Sequence, residues 1–247
     1  MRLVEKLMQA YFNLVYNPVY DFTTARINRY SKLQQTCISK LDFKDSDSVL
    51  CVGVGTGNEV LHILRANRRV GIIGVDYSEI ALRKAYKKAL QSGKEIEVLK
   101  MDARHLEFSP GTFDKVLCIH VMDFLQDSQQ VTNEIFRVLR EGGQFVITYP
   151  SDKEDIRLGS SLLKDAINGG LASGENRVRV ILGLIPQVLT GFICLPQIVF
   201  RPKKNVYSHC KLKAMIDSLT NGGFHIKQDP VYQDFIVCGR KSTKGDK

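Results

Sequence analysis

The chain has 247 residues, 44% hydrophobic and 25% charged, which is length and apolar content enough for one α/β domain with a buried core. Six cysteines (37, 51, 118, 194, 210 and 238) stand apart with no C-x-x-C pair, so neither a disulfide framework nor a zinc site is expected, and the compartment is expected to be reducing and cytoplasmic. A formal net charge of +9 suits nucleic acid, anionic lipid or plain solubility, so where the charge lies carries more than its sum.

In chain order, Leu3, Val4, Leu7, Met8, Tyr11, Phe12 and Val15 recur at helical spacing and predict an amphipathic helix ending near Asn17-Pro18. Its apolar face fits either a lid over a binding site or a membrane surface. Residues 1–15 hold no long apolar core and no small-residue cleavage site, so no export signal is expected. Residues 16–30 bring together Tyr16, Tyr20, Asp21, Phe22, Arg26, Arg29 and Tyr30, a polar and aromatic density suited to a lid at a pocket mouth. A surface helix with inward tyrosines is the other reading.

After a polar turn at 44–47, an apolar run breaks into Gly53-Val54-Gly55-Thr56-Gly57 and a helix to about Asn67, which reads as strand, tight loop and helix. Alternating glycines remove Cβ where the chain turns and let a ligand press against backbone amides at a helix N-terminus. The spacing is not G-x-G-x-x-G, because Asn58 stands three residues after Gly55, and a nicotinamide dinucleotide is disfavoured. A second apolar run, 70–75, ends in Asp76 and Tyr77, and the βαβ spacing brings that acid to ribose hydroxyls. Ser78 then caps a helix carrying Ala81, Ala85 and Ala89, with Arg83, Lys84, Lys87 and Lys88 expected on a solvated face.

Residues 95–99 alternate as a strand, with Asp102 and Ala103 just past it, and 115–119 form a fourth strand ending in Cys118 and Ile119. His120 and Asp123 leave that strand at the ligand edge of a parallel sheet. An amphipathic helix over 131–140, a Gly142-Gly143 turn and a fifth strand over 144–149, ending in Tyr149, follow. Residues 151–208 read as an insertion. Within it, 180–200 runs twenty-one residues without a charge between Arg177, Arg179, Arg201, Lys203 and Lys204. That length could span a bilayer, but Gly183, Pro186, Gly191 and Pro196 interrupt a helix there. An apolar roof over a substrate, a patch dipping into lipid and a buried subdomain core stay open. Tyr207, Ser208 and His209 begin a last helix toward Leu219, and 223–241 reads as a closing β-hairpin.

Five motifs in order resemble those of the class I S-adenosylmethionine-dependent methyltransferases: the glycine loop, Asp76 at the second strand end, Leu99-Lys100-Met101-Asp102-Ala103, the strand from Phe113 to Cys118, and Arg137-Val138-Leu139-Arg140-Glu141-Gly142-Gly143. The resemblance covers roughly residues 45–150 and again the closing hairpin. It implies a single domain, 1–247, built as a helical lid (1–43), a cofactor core (44–150), a substrate cover (151–208), and a last helix with hairpin (209–241). It further implies an α/β fold with a seven-stranded, doubly wound sheet in the order 3-2-1-4-5-7-6, the seventh strand antiparallel. The cofactor it implies is S-adenosylmethionine, set against Gly53, Val54, Gly55, Thr56, Gly57, Asp76, Tyr77, Asp102, Ala103, Cys118 and Ile119, with Tyr20 at the pocket mouth.

The Tyr20-Asp21 pair is similar to one in small-molecule methyltransferases of the ubiquinone and menaquinone group. This implies a small, apolar acceptor of quinone, phenol, lipid or terpenoid type, with Tyr16, Tyr149, Tyr207 and His209 near it. His120 is the candidate base, since imidazole titrates near neutrality, and Asp123 its companion; a pocket wall is the plainer reading of both. Two positions depart from the family pattern: Cys51 stands where an acid is usual, and Glu141 where a proline is usual. The Asn-Pro-Pro-Tyr and Pro-Cys signatures of nucleic-acid enzymes are missing after the fourth strand, so nucleic acid is not the expected partner. An RNA methyltransferase and a noncatalytic cofactor-binding partner subunit are the alternatives. No metal is expected, and contact with a membrane surface is left open.

Overall fold

The computed structural model describes residues 7, 10–24, 28–67, 69–125, 128–151, 207–220, 223–229 and 234–243, with isolated positions 167, 174, 176, 178 and 185. Strand β1 (Ser48–Val52) pairs in parallel with β2 (Gly71–Asp76) on one side and β4 (Phe113–Cys118) on the other. β3 (Glu97–Lys100) extends the sheet beyond β2, and β5 (Leu139–Tyr149) continues it in parallel beyond β4. β7 (Phe235–Arg240) runs antiparallel between β5 and β6 (Phe224–Gln228). The resulting order, β3-β2-β1-β4-β5-β7-β6, is the one the resemblance implies. The chain changes side of the sheet between β3 and β4, so a crevice opens at the carboxyl ends of β1 and β4, where sheets of this kind bind ligands.

Both faces of the sheet are covered, which is why its inner strands read as unbroken apolar runs. Val49 and Cys51 point toward α2 (Asn28–Ile38), α3 (Asn58–Ala66) and α4 (Glu79–Gln91), packing with Leu33, Cys37, Val60, Ile63, Leu82 and Ala85. Leu50 and Val52 point the other way, toward Val131, Ile135, Leu212 and Ile216 of α5 (Ser128–Val138) and α6 (His209–Thr220). Cys51 is 1% exposed, a small apolar core residue.

Three sequence expectations are corrected. The N-terminal helix does not stop at Asn17-Pro18: a π-helical turn (Phe12–Tyr16) runs into α1 (Asn17–Thr24), with the Asn17 N–H bonded to the Phe12 carbonyl. That five-residue step skips a rung where Pro18, which has no N–H, enters the helix. Gly142-Gly143 is not a turn before the fifth strand but part of β5, which begins directly after α5. The register with β4 slips there, from Phe113↔Leu139 to Lys115↔Gln144. Gly142 has φ +70°, and a Cβ on Gly143 would lie 2.9 Å from the Arg140 carbonyl oxygen, so the bulge requires glycine. The basic face of α4 is not simply solvated. Lys84 Nζ donates to the Asn17 and Pro18 carbonyls (2.7 and 2.8 Å), and Lys88 Nζ to Asp21 Oδ1 (2.5 Å), so both hold α1.

Of the 180–200 run only Ile185 is described, and it is exposed; the roof, lipid-patch and core readings lie outside the described residues. No helix among the described residues is long and apolar enough to cross a membrane.

Candidate cofactor and acceptor site

The glycine loop joins β1 to α3 with all three glycines at positive φ: Gly53 (+66°), Gly55 (+51°) and Gly57 (+81°). Gly57 caps α3, and a Cβ there would lie 2.7 Å from Ala85 Cα, so the residue sets how closely α3 and α4 approach. Gly55 differs, because a Cβ on it would meet nothing nearer than the Gly53 oxygen at 3.9 Å. Its bare backbone borders open space, and side by side with it lies the acid at the end of β2. Asp76 accepts the Gly55 N–H (2.9 Å) and the Ser78 N–H (2.8 Å) on its two oxygens. Burial pushes Asp76 above the usual carboxylate range, opposed by those N–H donors. Tyr77, next along, is exposed with Lys100 Nζ over its ring at 6.0 Å.

Past β3, Asp102 is held by Arg104. The Arg104 N–H donates at 2.9 Å, and its guanidinium forks onto both oxygens, with Nη2 to Oδ2 at 2.6 Å. Burial raises Asp102, but the Arg104 bonds outweigh it and leave the carboxyl below its ordinary range. Ala103 is half-buried in the same turn. Val54, Thr56, Cys118 and Ile119 are buried around the loop. Burial drives the Cys118 thiol well above its usual range, which makes it a wall and not a nucleophile.

Helix α1 docks on this loop. Asp21 accepts from Thr56 Oγ1 (2.6 Å) as well as from Lys88, which also donates to Asn58 Oδ1 (2.7 Å). Asn17 donates to Ser78 Oγ at 2.8 Å. From the N-terminal helices a column of rings leads inward: Tyr16 to Tyr20 (5.1 Å), Tyr20 to Tyr30 (6.1 Å) and Tyr30 to His120 (5.3 Å). Burial, with Tyr30 and Tyr16 alongside, holds the Tyr20 phenol above its ordinary range.

His120 leaves β4 with φ +55°, a conformation rare for a side-chain-bearing residue and common at working sites, and its N–H is anchored on Thr148 Oγ1 at 2.8 Å. Nε2 lies 3.2 Å from Asp234 Oδ2, and Asp123 closes the same corner. The structure therefore groups the loop, Asp76, Tyr20, His120 and Asp123 at one sheet edge. Tyr149 and Tyr207 go elsewhere. Both are buried in the core under β5, with their phenols bonded to Thr132 (2.8 Å) and Ser128 respectively. His209 is exposed at the start of α6.

Two acids here escaped sequence reasoning. Glu59, in the first turn of α3, is 9% exposed, receives Gln34 Nε2 at 3.4 Å, and is pushed up to about 8, first by burial and then by Asp76, against Lys88. Its only sequence signal was an acid at a helix start. Asp234 carried none, since it reaches His120 from the far end of the chain. Together, a glycine cradle open at Gly55, a helix N-terminus and several acids fit a nucleoside-type cofactor that carries positive charge.

Residues 50–147 match a family described as a methyltransferase domain. Over those residues the chain is similar to the class I S-adenosylmethionine-dependent methyltransferases. The chain is 39% identical over 131 residues to a phosphatidylethanolamine N-methyltransferase of Cereibacter sphaeroides, covering 52% of this chain and 62% of that one. Over 103 residues it is 36% identical to a sterol 24-C-methyltransferase of Eremothecium gossypii (41% of this chain, 27% of the relative). Over 130 residues it is 27% identical to a ubiquinone biosynthesis O-methyltransferase of Pseudomonas fluorescens (52% of each). The chain thus spans less than two thirds of these relatives' lengths. In fold it resembles the magnesium protoporphyrin IX methyltransferase of Synechocystis, solved with bound SAH, at TM-score 0.62 and 16% identity, over 96% of this chain and all of that one. The cofactor of the methyltransferase domain is S-adenosylmethionine, and the open cradle beside Asp76 is where the residues present fit it.

Proposed function

We propose that the chain transfers a methyl group from S-adenosylmethionine to a small lipophilic acceptor of the quinone, phenol, lipid or terpenoid type. The observation that carries this reading is the juxtaposition, at the carboxyl ends of β1 and β4, of the open glycine cradle with the His120 corner. Relatives named for phosphatidylethanolamine, sterol and ubiquinone methylation support the acceptor class. When bound, the cofactor supplies an electrophilic methyl on a sulfonium.

The rest falls to the chain. Asp76, already holding the Gly55 amide, has lone pairs left for the ribose hydroxyls. Asp76 at the loop, and Glu59 once it releases its proton, set negative charge beside a cationic cofactor. The docked lid and the ring column Tyr16, Tyr20 and Tyr30 exclude water and align the acceptor, and alignment is a large part of the rate for an in-line transfer. The acceptor's proton leaves at the His120 corner. Lys84 and Lys88 are spent on the lid, which leaves less of the basic surplus for an RNA backbone.

Calorimetry with S-adenosylmethionine tests the cofactor half. Asp76→Ala removes hydrogen bonds to a charged group and should weaken binding by about 1.5 to 3 kcal/mol. Asp76→Asn has one acceptor oxygen, enough for the Gly55 or the Ser78 N–H but not both, so thermal melts beside the calorimetry separate ribose binding from loop collapse. Unchanged affinity in both variants, or NADH binding in its place, would refute the assignment.

A further inference from the structure

We propose that His120, Asp123 and Asp234 form a binding site for one divalent transition-metal cation of the Mn²⁺ or Zn²⁺ class. The three residues come from two stretches of chain: His120, two residues past β4, with Asp123 in the 3₁₀ turn Met122–Phe124, and Asp234, the residue before β7. Yet one ligand atom of each lies within 4.8 Å of the other two, with His120 Nε2 and Asp234 Oδ2 at 3.2 Å. A small closure brings such atoms onto a common ion.

Their setting is built. The Asp234 side chain is 5% exposed and faces His120 Nε2 from below the surface, so two ligand atoms are held together out of bulk water. Pairing of Tyr149 with Phe235 sets Asp234 against the end of β5, the strand whose Thr148 anchors His120. Tyr30 packs edge-on against the imidazole, which fixes the ring plane. One imidazole and two carboxylates suit Zn²⁺ through the nitrogen and Mn²⁺ through the oxygens, whereas Mg²⁺ sheds its water reluctantly. Three protein ligands leave coordination positions open for an acceptor.

The inference rests on the methyl-transfer reading only for what the ion does, not for its binding. At that edge the ion would hold an acceptor oxygen and ease loss of its proton to water. The oxygen's electron pair then forms the bond to the methyl carbon, and the pair of the carbon–sulfur bond returns to sulfur. His120 is then a ligand that positions the ion and not itself the base, and the acceptor is an oxygen acid such as a phenol.

The test is titration of the chelator-stripped chain with Mn²⁺, without cofactor, followed by electron paramagnetic resonance and calorimetry. One Mn²⁺ per chain is expected. Asp234→Asn, Asp123→Asn and His120→Ala should each weaken it at least about tenfold. Asp45→Asn, which removes a surface partner of Arg69, should change nothing. Thermal melts and S-adenosylmethionine calorimetry on each variant show whether it is folded. No binding of Mn²⁺ or Zn²⁺ below about 1 mM, or binding indifferent to Asp234→Asn in a folded variant, overturns the proposal and leaves His120 and Asp234 as an ion pair. A chain that binds S-adenosylmethionine but no metal refutes this inference alone, and one that binds Mn²⁺ but not the cofactor refutes the methyl-transfer reading alone.

Discussion

At the scale of single residues, Glu59 couples the site to pH. Its carboxyl, in the ordinary range when unfolded, is pushed to about 8 when folded, chiefly by burial. Between those values the folded chain holds a proton that the unfolded chain has released, so the unfolded state binds fewer protons and stability falls as pH rises toward 8. Above about 8 the loss is complete, and below the ordinary carboxylate range there is none. The fall should be on the order of a few kcal/mol across that window. Urea unfolding of wild type and Glu59→Gln at about pH 5.5 and 8 reads it. The glutamine variant should lose much of the slope, and equal slopes in both proteins would show that Glu59 titrates normally. A bound cation favours the charged carboxylate, so the same residue should release its proton when the positively charged cofactor binds.

At the scale of elements, α1 is held largely by side chains of α4. Lys88 of α4 gathers Asp21 of α1 with Thr56 and Asn58 of the glycine loop, while Lys84 caps two α1 carbonyls. The Lys88 side chain is 21% exposed, so these charge-assisted bonds keep much of their strength and contribute about 1 to 2 kcal/mol. Lys88→Ala should therefore make the amides of α1 exchange with deuterium roughly tenfold faster while those of β1 and β4 stay protected. Exchange of α1 at the wild-type rate would mean that the ring contacts alone hold it. Gly57 matters on the same scale, because its missing Cβ lets α3 and α4 meet and so sets where the loop lies.

At the scale of the whole molecule, the five basic residues flanking the 180–200 run amount to more than half of the +9 surplus. An apolar run with basic flanks suits a lipophilic acceptor taken from a membrane surface. Each such residue adds attraction of about 1 kcal/mol near an anionic bilayer, and salt shortens its reach to roughly 8 Å at physiological strength. The chain should float with anionic vesicles at low salt and less so at high salt, and neutralising Arg177, Arg179, Arg201, Lys203 and Lys204 should abolish the difference. Absence from the vesicle fraction under every condition would end the surface reading.

Local pattern carried much of this protein. Glycines at every second position after an apolar run, Asp76 at the next strand end and apolar runs too continuous for a one-sided sheet are properties of neighbouring residues, whereas the sheet order came from the family resemblance that those motifs carry. Periodicity and turn chemistry act over a few residues, so they survive without tertiary context. Convergence does not. That Asp234 meets His120 depends on the register of β7 on β5, that Lys84 and Lys88 serve the lid depends on how α1 lies across α4, and that Tyr149 and Tyr207 are core depends on which face of β5 the helices α5 and α6 cover. Even the glycine pair at 142 and 143, an evident turn by composition, became a bulge because β4 lay alongside to pair with it. A side chain's type tells what chemistry it can do. Its partners, and therefore its charge and its exposure, were settled only when distant strands came into register.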